Sequence, residues 1–115
     1  MRGTMAIPLR IDTNDIQIAF DLMSMNGSLR PGTTVTAPGG AMLRFNGMVP
    51  AEEGHTGRLE FELRDATSAG VPPLADWLYE RLHGRIPTVR VGRSEVRVER
   101  EALRTALEAG ARRGA

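Results

Sequence analysis

Residues 71–98 read VPPLADWLYERLHGRIPTVRVGRSEVRV, and this stretch predicts one helix, a glycine stop and a tight β-hairpin. Pro72 and Pro73 supply fixed dihedrals and no amide donors, which a helix tolerates only in its first turn. Large apolar side chains then repeat at helical spacing, and they are Leu74, Trp77, Leu78 and Leu82. Gly84 suits a left-handed stop. We therefore predict a helix over about residues 73–83, with Trp77 in the core.

The hairpin follows at about residues 88–98, where valines alternate with polar residues. Glycine at the first turn position favours a type II′ turn at Gly92-Arg93. The inward side chains are Val89, Val91, Val96 and Val98, and the outward ones are Arg90, Glu95 and Arg97. A last helix is predicted over about residues 100–109, with Leu103, Ala106 and Leu107 inward, and Gly110 is expected to end it.

The N-terminal part alternates between apolar and polar residues, which is typical of half-buried strands. Ile7, Leu9 and Ile11 predict a first strand, in which Pro8 favours an edge position or a strand start. Residues 12–15 have turn chemistry, and residues 16–22 alternate again. We interpret residues 16–22 as the second strand of a hairpin; a competing interpretation begins a helix at Asp15.

Three further strands are predicted at about residues 33–36, 41–46 and 58–64, separated by breaks at residues 38–40 and 49–57. The last of these places Leu59, Phe61 and Leu63 on one face. The fold class is therefore α+β: a mostly antiparallel sheet, with about five N-terminal strands, packed by the helix at 73–83. At 115 residues we expect one domain over 1–115, with residues 1–5 and 111–115 flexible.

Composition limits the function classes. The chain has no cysteine, which excludes disulfides, thiolate metal sites and a cysteine nucleophile. No apolar run approaches the ~18 residues of a membrane span, so we expect no membrane partner and a cytoplasmic location. All fifteen basic residues are Arg. We interpret this bias as the mark of a GC-rich genome, although Arg also suits bidentate carboxylate or phosphate contacts.

Charge is divided along the chain. Residues 1–80 hold 6 Arg and 10 Asp or Glu, a balance of −4, whereas residues 81–115 hold 9 Arg and 4 Glu, a balance of +5. The two parts sum to the net charge of +1. An acidic body and a basic C-terminal third can complement each other within the fold or between copies.

No pattern for catalysis, metal binding or cofactor binding is present. His55 lies near Glu52 and Glu53, but this loop lacks the ligand spacing of a zinc site. No serine lies in a G-x-S-x-G elbow, and no glycine pattern forms a phosphate loop. Glu60 and Glu62 alternate with leucine beside arginines, so we interpret them as cross-strand ion-pair partners. We expect no enzyme, no metal and no cofactor.

The leading hypothesis is a non-enzymatic accessory module that binds another protein or its own copy. Its candidate residues are the arginines of the C-terminal third, Arg85, Arg90, Arg93, Arg97, Arg100 and Arg104, together with an exposed sheet edge that accepts a partner strand. Met23, Met25, Met42 and Met48 provide a second candidate surface, although filling the core is the favoured interpretation of these methionines. One alternative is a nucleic-acid-binding regulator that uses Arg81 and the same arginines. Another is a ligand-binding or enzymatic pocket between sheet and helix, near His55 or Trp77.

Overall fold

The computed structural model describes residues 6–24, 29–50 and 57–113, with a six-stranded antiparallel sheet and three α-helices in that part of the chain. The strands are β1 (Ala6–Asp12), β2 (Thr34–Thr36), β3 (Met42–Pro50), β4 (Gly57–Arg64), β5 (Thr88–Val91) and β6 (Ser94–Arg97). The helices are α1 (Gln17–Met23), α2 (Val71–Leu82) and α3 (Arg100–Arg113), with short 3₁₀ helices at Pro38–Gly40 and Ser68–Gly70. The spatial strand order is β2-β3-β4-β1-β5-β6. The predicted α+β class is confirmed.

The core lies between one face of the sheet and the helices. β4 shows the predicted alternation, because Leu59, Phe61 and Leu63 are fully buried while Glu60 and Glu62 are partly exposed. α2 contacts both α1 and α3, α1 reaches β3, and α3 reaches β1, β5 and β6. The other face of the sheet carries charged residues and meets no helix in the described part of the chain, as is common for antiparallel sheets.

The prediction that Pro8 marks an edge is wrong. β1 lies inside the sheet, paired with β4 along its whole length and with β5 at Leu9 and Arg10. The carbonyl oxygen of Pro8 accepts the amide of Gly92 at 2.8 Å, so the nitrogen of Pro8 faces the same side, towards the β5–β6 turn. The missing donor therefore falls where pairing with β5 ends, and the interior strand tolerates the proline.

The predicted strand over residues 16–22 is also wrong, because this segment forms α1. Ile18, Ala19, Leu22 and Met23 are buried together on one helical face, whereas Ile16 is 40% exposed. The amide of Gln17 donates to the Asp15 carboxylate at 3.0 Å, and Ser24 adopts a left-handed conformation at the end of the helix. Among the described residues, four strands rather than about five therefore precede α2, and the expected N-terminal hairpin is absent there.

The middle strands lie close to the predicted positions. β2 and β3 cover the segments expected at 33–36 and 41–46, but β3 continues to Pro50. Asn46 is the extra residue of a β-bulge, since Phe45 pairs with Phe61 and Gly47 with Glu60. The polar break expected at 49–57 is wrong at its ends, because residues 49–50 belong to β3 and Gly57 begins β4. Its middle, residues 51–56, lies outside the described residues.

Helix α2 confirms the predicted helix, with one correction. Leu74, Leu78 and Leu82 are buried as expected, but Trp77 is only partly buried and packs at the margin of the core. The Arg81 guanidinium lies 4.8 Å from the centre of the Trp77 ring, a cation–π geometry. Gly84 adopts φ +83°, as expected for a stop after the helix.

The C-terminal hairpin is confirmed, since β5 and β6 enclose the two-residue turn Gly92-Arg93. Gly92 has φ +64° and Arg93 has no positive φ, which is the pattern of a type II′ turn. Gly110 does not end α3, which continues to Arg113 with Ala111 buried. A Cβ at Gly110 would lie 2.8 Å from Ile7 Cδ1, so this glycine permits the helix to approach β1 closely.

Candidate functional site

Arg85 forms two ion pairs within the fold. Its Nη1 donates to the Asp21 carboxylate at 2.6 Å, and its Nη2 lies 3.7 Å from an Asp15 oxygen. These contacts join the segment after α2 to α1. The hydrogen bond from Arg85, followed by one from Gln17, lowers the pKa of Asp21 below that of an ordinary aspartate. Two carboxylates therefore already engage this candidate binding residue.

Arg100 is engaged in the same way between α3 and α2. Its Nε donates to Asp76 at 3.2 Å, and its Nη2 lies 3.9 Å from Glu80. The guanidinium also lies 4.3 Å from the centre of the Tyr79 ring. Arg85 and Arg100 thus contribute to helix packing, and their use as free cations for a nucleic acid or a protein requires these contacts to break.

The other four candidate arginines lie on separate surfaces. Arg90 and Arg97 belong to the open face of the sheet, where Arg90 is directly opposite Arg10 of β1. Arg93 is exposed in the β-turn, and Arg104 is exposed on α3. Arg97 Nη1 lies 3.7 Å from Glu99. Within the described residues, Arg90, Arg93 and Arg104 make no ion pair. The six candidate arginines therefore lie on several surfaces and do not form one cluster.

The outer edge of β6 pairs with no other strand in the described part of the chain. In the two-residue hairpin, Val91 and Ser94 close the turn, so Ser94 and Val96 turn their backbone groups towards β5. The backbone groups of Glu95 and Arg97 consequently point away from the sheet. Only the Arg97 carbonyl has a partner in the described structure, the amide of Glu99 at 2.8 Å. Two free donors and the free Glu95 carbonyl therefore line this edge, together with the Arg97 carbonyl, which retains a second lone pair.

A groove of about 550 Å³ runs beside that edge, between β6 and α3. Small residues of α3 form its helical wall, namely Ala102, Thr105, Ala106 and Ala109. Val96 of β6 lines the strand side and is itself 8% exposed. The charged rim consists of Glu95, Arg97, Glu99 and Glu101. A mainly apolar trough thus lies next to unpaired backbone groups.

The opposite end of the sheet is less open. β2 covers only residues 42–44 of β3, and the loop before β2 bonds Phe45. Met48 and Val49 are 43% and 39% exposed beyond this cover. Of the methionines in the second candidate surface, Met48 is exposed, Met23 is fully buried and Met42 is partly buried. Met25 lies outside the described residues.

The residues weighed for catalysis and metal binding have structural partners where they are described. Arg10 Nε lies 3.8 Å across the strands from Glu60, which confirms the cross-strand ion pair predicted for Glu60. Glu62 instead pairs with Arg64 of its own strand, whose Nη2 lies 3.1 Å away. His83 stacks on Tyr79 with 4.7 Å between ring centres. The described residues contain no cluster of three metal-ligating side chains. His55, Glu52 and Glu53 lie outside them.

The sequence predicts an exposed sheet edge but not which strand forms it, and the groove between β6 and α3 is not predicted. Ala102, Ala106 and Ala109 recur at i, i+4 and i+7, which was the available signal. Ala106 was assigned to the core with Leu103 and Leu107, but only the leucines are fully buried. The three alanines form the flank of α3 beside β6, and this placement follows from the position of β6 at the sheet edge.

Among the helices described, none has the length and apolar character to cross a membrane. No family model, curated protein or solved structure matches this chain.

Proposed function

We propose that this protein is a non-enzymatic binding module that accepts an extended protein segment along the outer edge of β6. The observation that carries this proposal is the adjacency of unpaired backbone groups at Glu95 and Arg97 to the apolar groove between β6 and α3. Edge strands with free donors and acceptors are templates for strand addition. The absence of cysteine is consistent with a reducing compartment, and we propose the cytoplasm.

The two faces of an added strand meet different chemistry. Side chains on its helix-facing side enter the groove against Val96, Ala102 and Ala106, which favours apolar residues of moderate size. Side chains on its other side lie beside Glu95 and Arg97 on the open face, which favours residues of opposite charge. Backbone bonds therefore supply affinity, and the alternation of side chains supplies specificity.

The first prediction removes one edge donor. Glu95→Pro deletes an amide that points out of the sheet, and proline is tolerated at such an edge position. Glu95→Thr is the matched control, since it removes the same carboxylate but retains the amide. Random ten-residue peptides displayed on phage are selected against the wild-type protein. We expect the selected peptides to bind Glu95→Thr and to lose at least about tenfold in affinity for Glu95→Pro, the loss of one or more hydrogen bonds.

Selection of no peptide would contradict the proposal, as would peptides that bind the proline and threonine variants equally. Circular dichroism and urea unfolding of both variants verify that the hairpin remains folded.

A further inference from the structure

The charges of β6 are arranged so that the strand complements itself. Glu95 and Arg97 lie on the open face and flank Val96, which faces the groove. The backbone groups that point outward belong to the same two residues. An antiparallel strand therefore pairs with this edge by placing its own outward-pointing residues opposite Glu95 and Arg97.

We propose that the strand bound at this edge is β6 of a second copy of the chain, in antiparallel register about a two-fold axis at Val96. This inference rests on the proposed function, because it names the partner of the same edge. In this register Glu95 of each copy faces Arg97 of the other. Each pair exchanges two backbone hydrogen bonds, in which the Arg97 carbonyl accepts the partner's amide with the lone pair that its contact with the Glu99 amide leaves free. The interface is isologous, with the same residues on both sides.

Charge selects this register from its neighbours. A shift that places Glu95 opposite Glu95 juxtaposes like charges, and a shift that places Arg97 opposite Arg97 also brings Glu95 opposite Glu99. Like charges in directly opposed positions destabilise strand pairing. A shift of the partner strand by a single residue fails for a different reason. It places the outward-pointing backbone groups of one β6 opposite a residue whose backbone groups point towards β5, and it puts the charged side chains on the helix-facing side of the sheet. Among the registers that pair residues within β6, only the one centred on Val96 combines opposite charges with bonded backbones.

The groove explains the helix-facing side of the same contact. The two Val96 side chains meet at the axis as a non-hydrogen-bonded pair, whose Cα atoms approach to about 4.5 Å. Each valine then lies over the start of the small-residue wall of α3, at Ala102 and Ala106. The two α3 helices face each other across the axis, and small side chains permit helices to pack at short distances. The two six-stranded sheets become one continuous sheet, which removes this open edge.

Charge exchange tests this arrangement. Sedimentation velocity across the micromolar range should show the wild-type mass rising from 12.5 kDa to twice that value. Glu95→Arg and Arg97→Glu each create two repulsive pairs in the homodimer, so each variant alone should raise the dimer dissociation constant by about tenfold or more. An equimolar mixture of the two variants should recover the dimer, because their charges are opposite. The double variant should also recover it.

The recovery separates the interface from folding, since a variant that does not fold is not rescued by mixing. Arg104→Glu is the matched control on the far flank of α3 and should leave the dissociation constant unchanged. A wild-type protein that remains monomeric, or a dimer in which the single variants and the mixture behave alike, overturns the inference. Selected peptides that bind a monomeric wild type and lose affinity for Glu95→Pro would leave the proposed function standing without the self-pairing; absence of both the dimer and such peptides would remove both.

Discussion

At the residue scale, Gly39 and Gly70 show how tightly the helical layer is fixed to the loops of the sheet. A Cβ built on Gly39 would overlap the carbonyl oxygen of Gly70, and a Cβ on Gly70 would overlap that of Gly39. The two short 3₁₀ helices, Pro38–Gly40 and Ser68–Gly70, therefore touch through bare backbone. Since Gly70 immediately precedes α2, this contact positions the start of the central helix.

Adjacent glycines provide a matched test of this contact. Gly39 and Gly40 have φ +79° and +84°, but only Gly39 has a neighbour within 4 Å of its Cβ position. Alanine at either position incurs left-handed strain of about 1–2 kcal/mol. Gly39→Ala should lower the free energy of unfolding by about 1–3 kcal/mol more than Gly40→Ala, because only Gly39→Ala forces backbone atoms apart. Urea denaturation measures both variants, and equal losses would show that the contact is unimportant.

At the element scale, α1 is a short helix held mainly by its buried face and by Arg85. A seven-residue helix is too short to be stable alone, so tertiary contacts must supply its stability. The lowered pKa of Asp21 means that the folded state favours the ionised carboxylate. This contribution is fully present above the pKa of the unfolded chain and is lost as the pH falls through the lower folded value.

We therefore predict that Arg85→Gln raises the pKa of Asp21 towards its ordinary value of 3.8. The stability difference between wild type and Arg85→Gln should be constant above that pH and should shrink below it, because protonated Asp21 gains little from Arg85. Carboxyl NMR titration gives the pKa, and urea unfolding against pH gives the stability. Arg112→Gln is the control, since Arg112 pairs with Glu108 at 3.4 Å on exposed α3. A pKa of Asp21 unaffected by Arg85→Gln would refute this account of how α1 is held.

The elements differ in how far the sequence predicts them. Residues 58–64 alternate strictly between apolar and charged side chains and form most of β4. Only a strand buries one side of this pattern and exposes the other side to water. Residues 16–22 alternate as well, yet Ala19 and Met23 complete a helical face with Ile18 and Leu22. Both periods were present, and the choice depended on packing against α2 and β3. Gly110 was misinterpreted for the same reason, since its contact with Ile7 joins elements distant in sequence.

The candidate site was predictable only in part. The two-residue turn at Gly92-Arg93 fixes which β6 residues point outward, and this follows from the sequence of the hairpin. The position of β6 at the sheet edge does not, because it depends on β1 pairing with both β4 and β5. The groove forms only when β6 lies at the sheet edge and α3 packs beside it. The sequence patterns of β6 and α3 themselves specify neither arrangement.

At the scale of the whole molecule, the basic C-terminal third and the acidic body form ion pairs with each other within the fold. Arg85 and Arg100, from the basic third, pair with carboxylates of the acidic body at Asp15, Asp21, Asp76 and Glu80. The sheet ends differently on its two sides. β2 is a three-residue strand supplemented by loop contacts, whereas β6 presents backbone groups without a partner among the described residues, beside an apolar groove. We therefore propose the β6 edge, among the described surfaces, as the binding surface for a protein partner.

Amide hydrogen exchange at β6 tests this claim most directly. In dilute protein, Ser94 and Val96 should be protected by their pairing with β5, while Glu95 and Arg97 should exchange rapidly. When the concentration is raised until the dimer forms, or when a selected peptide is added to saturation, Glu95 and Arg97 should become protected as well. Rapid exchange of Glu95 and Arg97 under both conditions would contradict the account.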